Sequence, residues 1–104
     1  MDTIYVLKAL SDEKRMEIIR LLSNKKYCVR ALSRQLNISE SAVSQHIQVL
    51  KKANLLKIGY KNGYNIHYAV DGQVLKQISE EIKHLSDSIL SERECGGNCK
   101  EKIK

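Results

Sequence analysis

Ser39-Glu40-Ser41-Ala42-Val43-Ser44-Gln45-His46-Ile47-Gln48-Val49-Leu50-Lys51-Lys52-Ala53-Asn54 is the stretch on which the reading of this chain turns. The Ser39 hydroxyl is a good N-cap, and Glu40 stands where the positive end of a helix dipole favours an acid. Val43, Ile47 and Leu50 recur at i, i+4 and i+7, so they share one face of a helix that runs to about Ala53 and closes at Asn54. The outward positions are Ser41, Ser44, Gln45, Gln48 and Lys51, which are hydrogen-bonding side chains with no large apolar one among them. Just upstream, Leu32 and Leu36 mark a short helix that ends at Asn37, a residue that tolerates the left-handed conformation, and only Ile38 separates it from the Ser39 cap. Two helices joined by so tight a turn form a helix-turn-helix, whose second helix reads the major groove. Gln can bond bidentately to adenine and Ser to several bases, while Lys51 and Lys52 at the far end suit phosphates. The bland alternative is an ordinary solvated helix face.

Working outward, Ile4, Val6, Leu7 and Leu10 predict a short first helix from Thr3 to Leu10 that needs something to pack on. Ser11 is the expected cap of a second helix, with Asp12 and Glu13 in its first turn and Met16, Ile18, Ile19, Leu21 and Leu22 facing inward. After the reading helix, Leu56 to Val70 alternates with period two on both sides of Asn62-Gly63, which predicts a β-hairpin. A three-residue loop, Lys61-Asn62-Gly63, would set Tyr60 opposite Tyr64 and Ile58 opposite Ile66, with Gly63 left-handed and with Lys57 and Lys61 on the polar face beside Asn65 and His67. Asp71 can cap the last helix, where Leu75, Ile78, Ile82, Leu85 and Ile89 step by 3, 4, 3 and 4. Such a heptad seam, in a chain whose small core is already claimed, predicts packing against a twin with the first helix alongside. Gly96-Gly97 ends any helix, so residues 94–104 are expected to form a Cys-containing tail behind a domain of residues 1–93.

Length and charge fit this layout. The chain has 104 residues, 42% of them hydrophobic, enough for one modest core. The net charge of +6 divides into 0 for residues 1–23, +7 for 24–70 and −1 for 71–104, because Glu40 is the only acid in the middle block. A basic block between balanced flanks is the footprint of a surface that meets phosphates. No apolar run approaches a membrane span and the first residues lack a signal-peptide pattern, so a cytoplasmic protein with no membrane partner is expected. Paired carboxylates, a phosphate loop and a nucleophile signature are all missing, which speaks against an enzyme and gives no sign of an organic cofactor. A basic protein-interaction module is the stronger rival.

The order helix, helix, short helix, reading helix, hairpin, closing helix resembles the winged helix-turn-helix of the ArsR/SmtB family of metal-responsive repressors. Leu7-Lys8-Ala9-Leu10-Ser11-Asp12-Glu13-Lys14-Arg15, Cys28-Val29-Arg30-Ala31-Leu32 and the whole of Ser39 to Leu56 carry the likeness, over about residues 4 to 90. It implies a mainly α fold with a small β-hairpin, a homodimer built from the first and last helices, and a palindromic double-stranded DNA operator. The DNA-contacting set would be Ser41, Ser44, Gln45, His46, Gln48, Lys51 and Lys52 on the reading helix, with Lys57 and Lys61 on the hairpin. An inducing metal would release the DNA. The arsenic-sensing branch carries Cys-Val-Cys at the third helix; Cys28 matches the first Cys, while Arg30 replaces the second. Cys28, Cys95 and Cys99 could together give soft thiolates for arsenic(III) or antimony(III), or for cadmium or lead. A second family site along the closing helix finds Asp71, His84 and Asp87 in place, but Gln73 where it has a histidine, which suits zinc poorly. Thiol oxidation is the remaining route to sensing.

Overall fold

The computed structural model describes residues 2–91 and 94–97. Five helices and one hairpin follow in the order α1 (Thr3–Leu10), α2 (Glu13–Leu22), α3 (Val29–Leu36), α4 (Glu40–Lys52), β1 (Leu56–Asn62), β2 (Asn65–Val70) and α5 (Gly72–Leu90). This is the mainly helical, hairpin-bearing fold that the sequence predicts. Of residues 94–104, only 94–97 fall within the described part, and Cys99 lies outside it.

Local chemistry explains the joints. Asn37 takes the left-handed conformation at φ 55° and ψ 47°, so α3 stops where its sequence says it should. The Ser33 hydroxyl donates to the Ile38 carbonyl and closes the turn. Ser39 then accepts from the Ala42 amide at 3.0 Å, and Asn54, at φ 61°, turns the chain out of α4. Ile18, Leu32, Val43, Leu50 and Leu55 are wholly buried, with Ile47 and Val6 nearly so, so α1 to α4 share one apolar core. β2 joins it through Tyr68, whose amide donates to the Tyr27 carbonyl at 2.9 Å.

The cap of α2 is Asp12 and not Ser11. Ser11 is already engaged in ending α1, where both its amide and its hydroxyl donate to the Lys8 carbonyl, at 3.1 and 2.8 Å. Asp12 sits in extended backbone and accepts from the Arg15 amide at 3.0 Å. One residue cannot close one helix and open the next here, so the two tasks pass to neighbours.

The hairpin register also departs from expectation. A β-bulge at Gly59 pairs Ile58 with Tyr68 but Tyr60 with His67, and the connection shrinks to Gly63-Tyr64, with Asn62 opposite Asn65. Gly63 does take a positive φ, 63°, but as the first of two turn residues, where glycine is favoured in a two-residue hairpin. The extra residue inverts the alternation of β1. Lys57 therefore shares a face with Tyr60 and His67, while Lys61 moves to the face of Ile66 and Tyr68, so the two lysines lie on opposite faces. Tyr60 stacks on His67 with ring centroids 4.3 Å apart, and Tyr64 is left fully exposed at the tip. Gly59 suits a crowded position: a Cβ there would lie 2.5 Å from Cδ of Lys26, whose flexible side chain would have to move, and 3.1 Å from the His67 carbonyl oxygen.

α5 is buried only at its start. Val74 and Ile78 meet the core and Leu75 packs against it, whereas Ile82, Leu85 and Ile89 are 50, 60 and 63% exposed. α1 lies alongside, since the Thr3 hydroxyl donates to the Glu81 carboxylate, and its own Ile4 is 60% exposed.

Candidate nucleic-acid interface

α4 is held by one face and offers the other. With Val43, Ile47 and Leu50 in the core, helical geometry turns Ser41, Ser44, Gln45, Gln48 and Lys52 to solvent, and all five are exposed. Val49, which the sequence reading did not place outward, is 36% exposed beside them. Lys51 is half-buried, its Nζ 5.9 Å from the centre of the Tyr68 ring, so a cation–π contact ties the end of α4 to the hairpin. Lys57 and Lys61 are exposed on the hairpin.

His46 differs from the other expected DNA contacts. Its side chain is 21% exposed and turns toward the joint between α1 and α2, where Nδ1 is 3.4 Å from Nη1 of Arg15 and 3.9 Å from Oδ2 of Asp12. An arginine can only donate, so the ring takes part in this contact as an acceptor through Nδ1, while the Asp12 carboxylate lies on the same side of the ring. The Arg15 amide and guanidinium, with His46 nearby, hold the Asp12 carboxyl below its ordinary value.

Two features escaped the sequence reading. Arg30 of α3 reaches Glu40 of α4 at 3.9 Å, an exposed ion pair across the turn. Arg30 was weighed there only as a missing thiolate. Tyr64 at the hairpin tip was read as a cross-strand partner, and the signal for its release was Gly59 in mid-strand, which marks a bulge. Between the starts of α3 and α4 and the hairpin lies an open cleft of about 300 Å³ walled by Cys28, Arg30, Glu40, Ser44, Tyr64 and Tyr68.

The metal candidates are less gathered. Cys28 occupies the N-cap position of α3, half-buried, and its side chain makes no capping bond. Cys95 is exposed, with its Sγ 3.9 Å from the Gly97 carbonyl oxygen. No group of three or more metal-ligating side chains comes together among the described residues. Asp71 caps α5 by accepting from the Gln73 amide at 3.0 Å, and Asp87 takes Lys83 at the same distance. His84 is exposed. Along one helix, Asp71 and His84 are separated by roughly 20 Å, so a single chain does not bring them together. No helix among the described residues is long and apolar enough to cross a membrane.

Residues 12–57, from the α2 cap through the reading helix into the hairpin, match the family model described as bacterial regulatory protein, arsR family. The chain is 33% identical over 82 residues to a transcriptional repressor SmtB homolog of Synechocystis, covering 77% of this chain and 61% of that protein. It is 34% identical over 76 residues to an arsenical resistance operon repressor of Bacillus subtilis, covering 72% of each. The structure superimposes on an ArsR-like transcriptional regulator from Rhodococcus with a TM-score of 0.75 at 26% identity, covering 84% of this chain and 81% of that one. The SmtB homolog and the arsenical repressor are similar to this chain to nearly the same degree, so the expected arsenic-sensing branch is not singled out. The chain belongs to the ArsR family of bacterial regulatory proteins, and is a winged helix-turn-helix transcriptional regulator rather than an enzyme.

Proposed function

We propose that the chain is a cytoplasmic repressor that binds a palindromic DNA operator as a homodimer and releases it when a thiophilic metal or metalloid binds. The observation that carries the reading is the division of α4 into a buried aliphatic stripe and an exposed row of Ser and Gln, next to a hairpin bearing Lys57 and Lys61. Ser41, Ser44, Gln45 and Gln48 read base edges, and Lys52, Lys57 and Lys61 take phosphates, with Lys51 supporting the helix end. The dimer forms through the apolar residues that α1 and the outer half of α5 leave exposed. Its twofold axis would set two reading helices about 34 Å apart, one turn of the duplex.

Arsenic(III) or antimony(III) is the proposed inducer, held by Cys28, Cys95 and Cys99 from the domain of residues 1–93 and the tail of 94–104. Support comes from the soft thiol set and from the position of Cys28 at the start of α3, the helix that packs against α4. By linkage, the operator must weaken metal binding by the same factor that metal weakens operator binding, typically about 1–3 kcal/mol. The site of Asp71, His84 and Asp87 would have to be shared between protomers.

Fluorescence anisotropy on DNA from the chain's own promoter tests both parts. For a duplex binder the logarithm of the affinity falls linearly as log salt rises, whereas a basic protein-interaction module binds no duplex at low salt. Arsenite and antimonite should release the DNA from the wild type and not from a variant with all three Cys changed to Ser. Release by zinc, cadmium, lead or peroxide alone would reassign the inducer.

A further inference from the structure

The proposed function leaves one cluster unused: Asp12, Arg15 and His46, where α1, α2 and α4 meet. Arg15 is half-buried and each of its nitrogens has a direction. Its Nε donates to the Ala9 carbonyl at 2.6 Å and Nη2 approaches the Lys8 carbonyl at 3.5 Å, so the guanidinium closes the C-terminal end of α1. Nη1 reaches His46 in mid-α4 at 3.4 Å, and the Arg15 amide is bound by Asp12 at 3.0 Å. One side chain thus touches the end of the helix that carries the exposed Ile4 and the inward flank of the helix that carries Gln45 and Gln48.

Such a link matters because the rest of the seat of α4 is aliphatic. Burial of Val43, Ile47 and Leu50 fixes which face is inward, but apolar contact is non-directional and leaves small rolls and slides of a helix nearly level in energy. A planar guanidinium in bonds to fixed carbonyls and to an imidazole removes that freedom. A dimer is unusually sensitive to it, because a small tilt at each reading helix displaces the two heads relative to one another along and around the duplex.

We infer that Arg15, held by Asp12 and bonded to His46, is a positioning residue that sets the angle of the reading helix to the dimerisation face and thereby the half-site spacing the dimer accepts. This rests on the proposed DNA-binding homodimer. It assigns Arg15 and Asp12 to specificity for spacing, without contact to DNA, and gives His46 an inward task in place of a base contact.

The test uses the full chain. A random-sequence duplex pool is selected on the wild type to recover a duplex with two half-sites. Affinities are then measured for that duplex, for versions with the half-site separation changed one base pair at a time, and for a duplex with one half-site. Each added base pair moves the second site by roughly 3.4 Å and about 35°, so the wild type should lose about tenfold or more per step. Arg15→Gln should flatten that profile to about threefold or shift its optimum, with single-half-site affinity within about twofold of wild type. Asp12→Asn keeps an N-capping oxygen and removes the charge beside Arg15, so it carries the test if Arg15→Gln fails to fold. Folded, dimeric variants with the wild-type spacing profile, or with equal losses on single and double half-sites, would overturn the inference alone. A pool from which the wild type recovers no duplex would overturn the DNA-binding reading and the inference with it.

Discussion

α4 and the outer half of α5 carry the same kind of aliphatic stripe and meet opposite fates. In α4, Val43, Ile47 and Leu50 are at most 1% exposed, and the polar residues face out. In α5, the stripe starts in the core at Ile78 and then runs into solvent at Ile82, Leu85 and Ile89. Intrachain packing alone therefore explains where α4 sits, whereas the seam of α5 is a surface still to be covered. Exposed apolar residues in a row at heptad spacing are the usual mark of an interface.

Substitutions at the two stripes should separate these roles. Leu50→Ala should lower the folding stability by about 2–5 kcal/mol in denaturant titrations, since the cavity opens in a core that is closed on all sides. Leu85→Glu should leave the monomer's helix content intact and weaken dimerisation by about 2 kcal/mol or more, read by analytical ultracentrifugation as a shift of about thirtyfold in the dissociation constant. Equal loss of fold in both variants would erase the distinction. Asp12→Ala should cost about 1 kcal/mol of stability through the lost cap. Its pH dependence has a definite sign: a carboxyl held below its ordinary value of 3.8 stabilises the fold above that value. The advantage of the wild type over Asp12→Ala should therefore persist at neutral pH and fade as acid titrations pass below about 3.8. The smallest effect belongs to the exposed pair on α5, where Lys83→Ala should cost only about 0.2–0.5 kcal/mol, and less in high salt.

The helix-turn-helix was legible because several local signals agree there. Asn37, Ser39 and the Val43-Ile47-Leu50 spacing each fix the same boundary from independent chemistry, and agreement of that sort is what makes a segment readable. Ser11 misled because a serine between two helices can serve either, and only the tertiary path shows that it ends the first. The hairpin register was lost to Gly59: one inserted residue inverts every later position, and the close approach of Lys26 to it comes from another part of the chain. His46 was grouped with its neighbours on α4 because position along a helix does not reveal that Arg15, thirty-one residues earlier, awaits it. The thiol set was proposed from the family resemblance at Cys28 and the thiol chemistry of Cys95 and Cys99, and Cys99 lies outside the described residues.

The hairpin is clamped near its root and nowhere near its end. Tyr68 takes the Tyr27 carbonyl on one side and the Lys51 ammonium on the other, while Tyr64 is fully exposed at the rim of the cleft. A cantilever of this form has compliance that grows with distance from the support. In the proposed complex, side chains near the root would meet the duplex at a set height, whereas the far aromatic would follow a groove as it narrows or widens along the sequence.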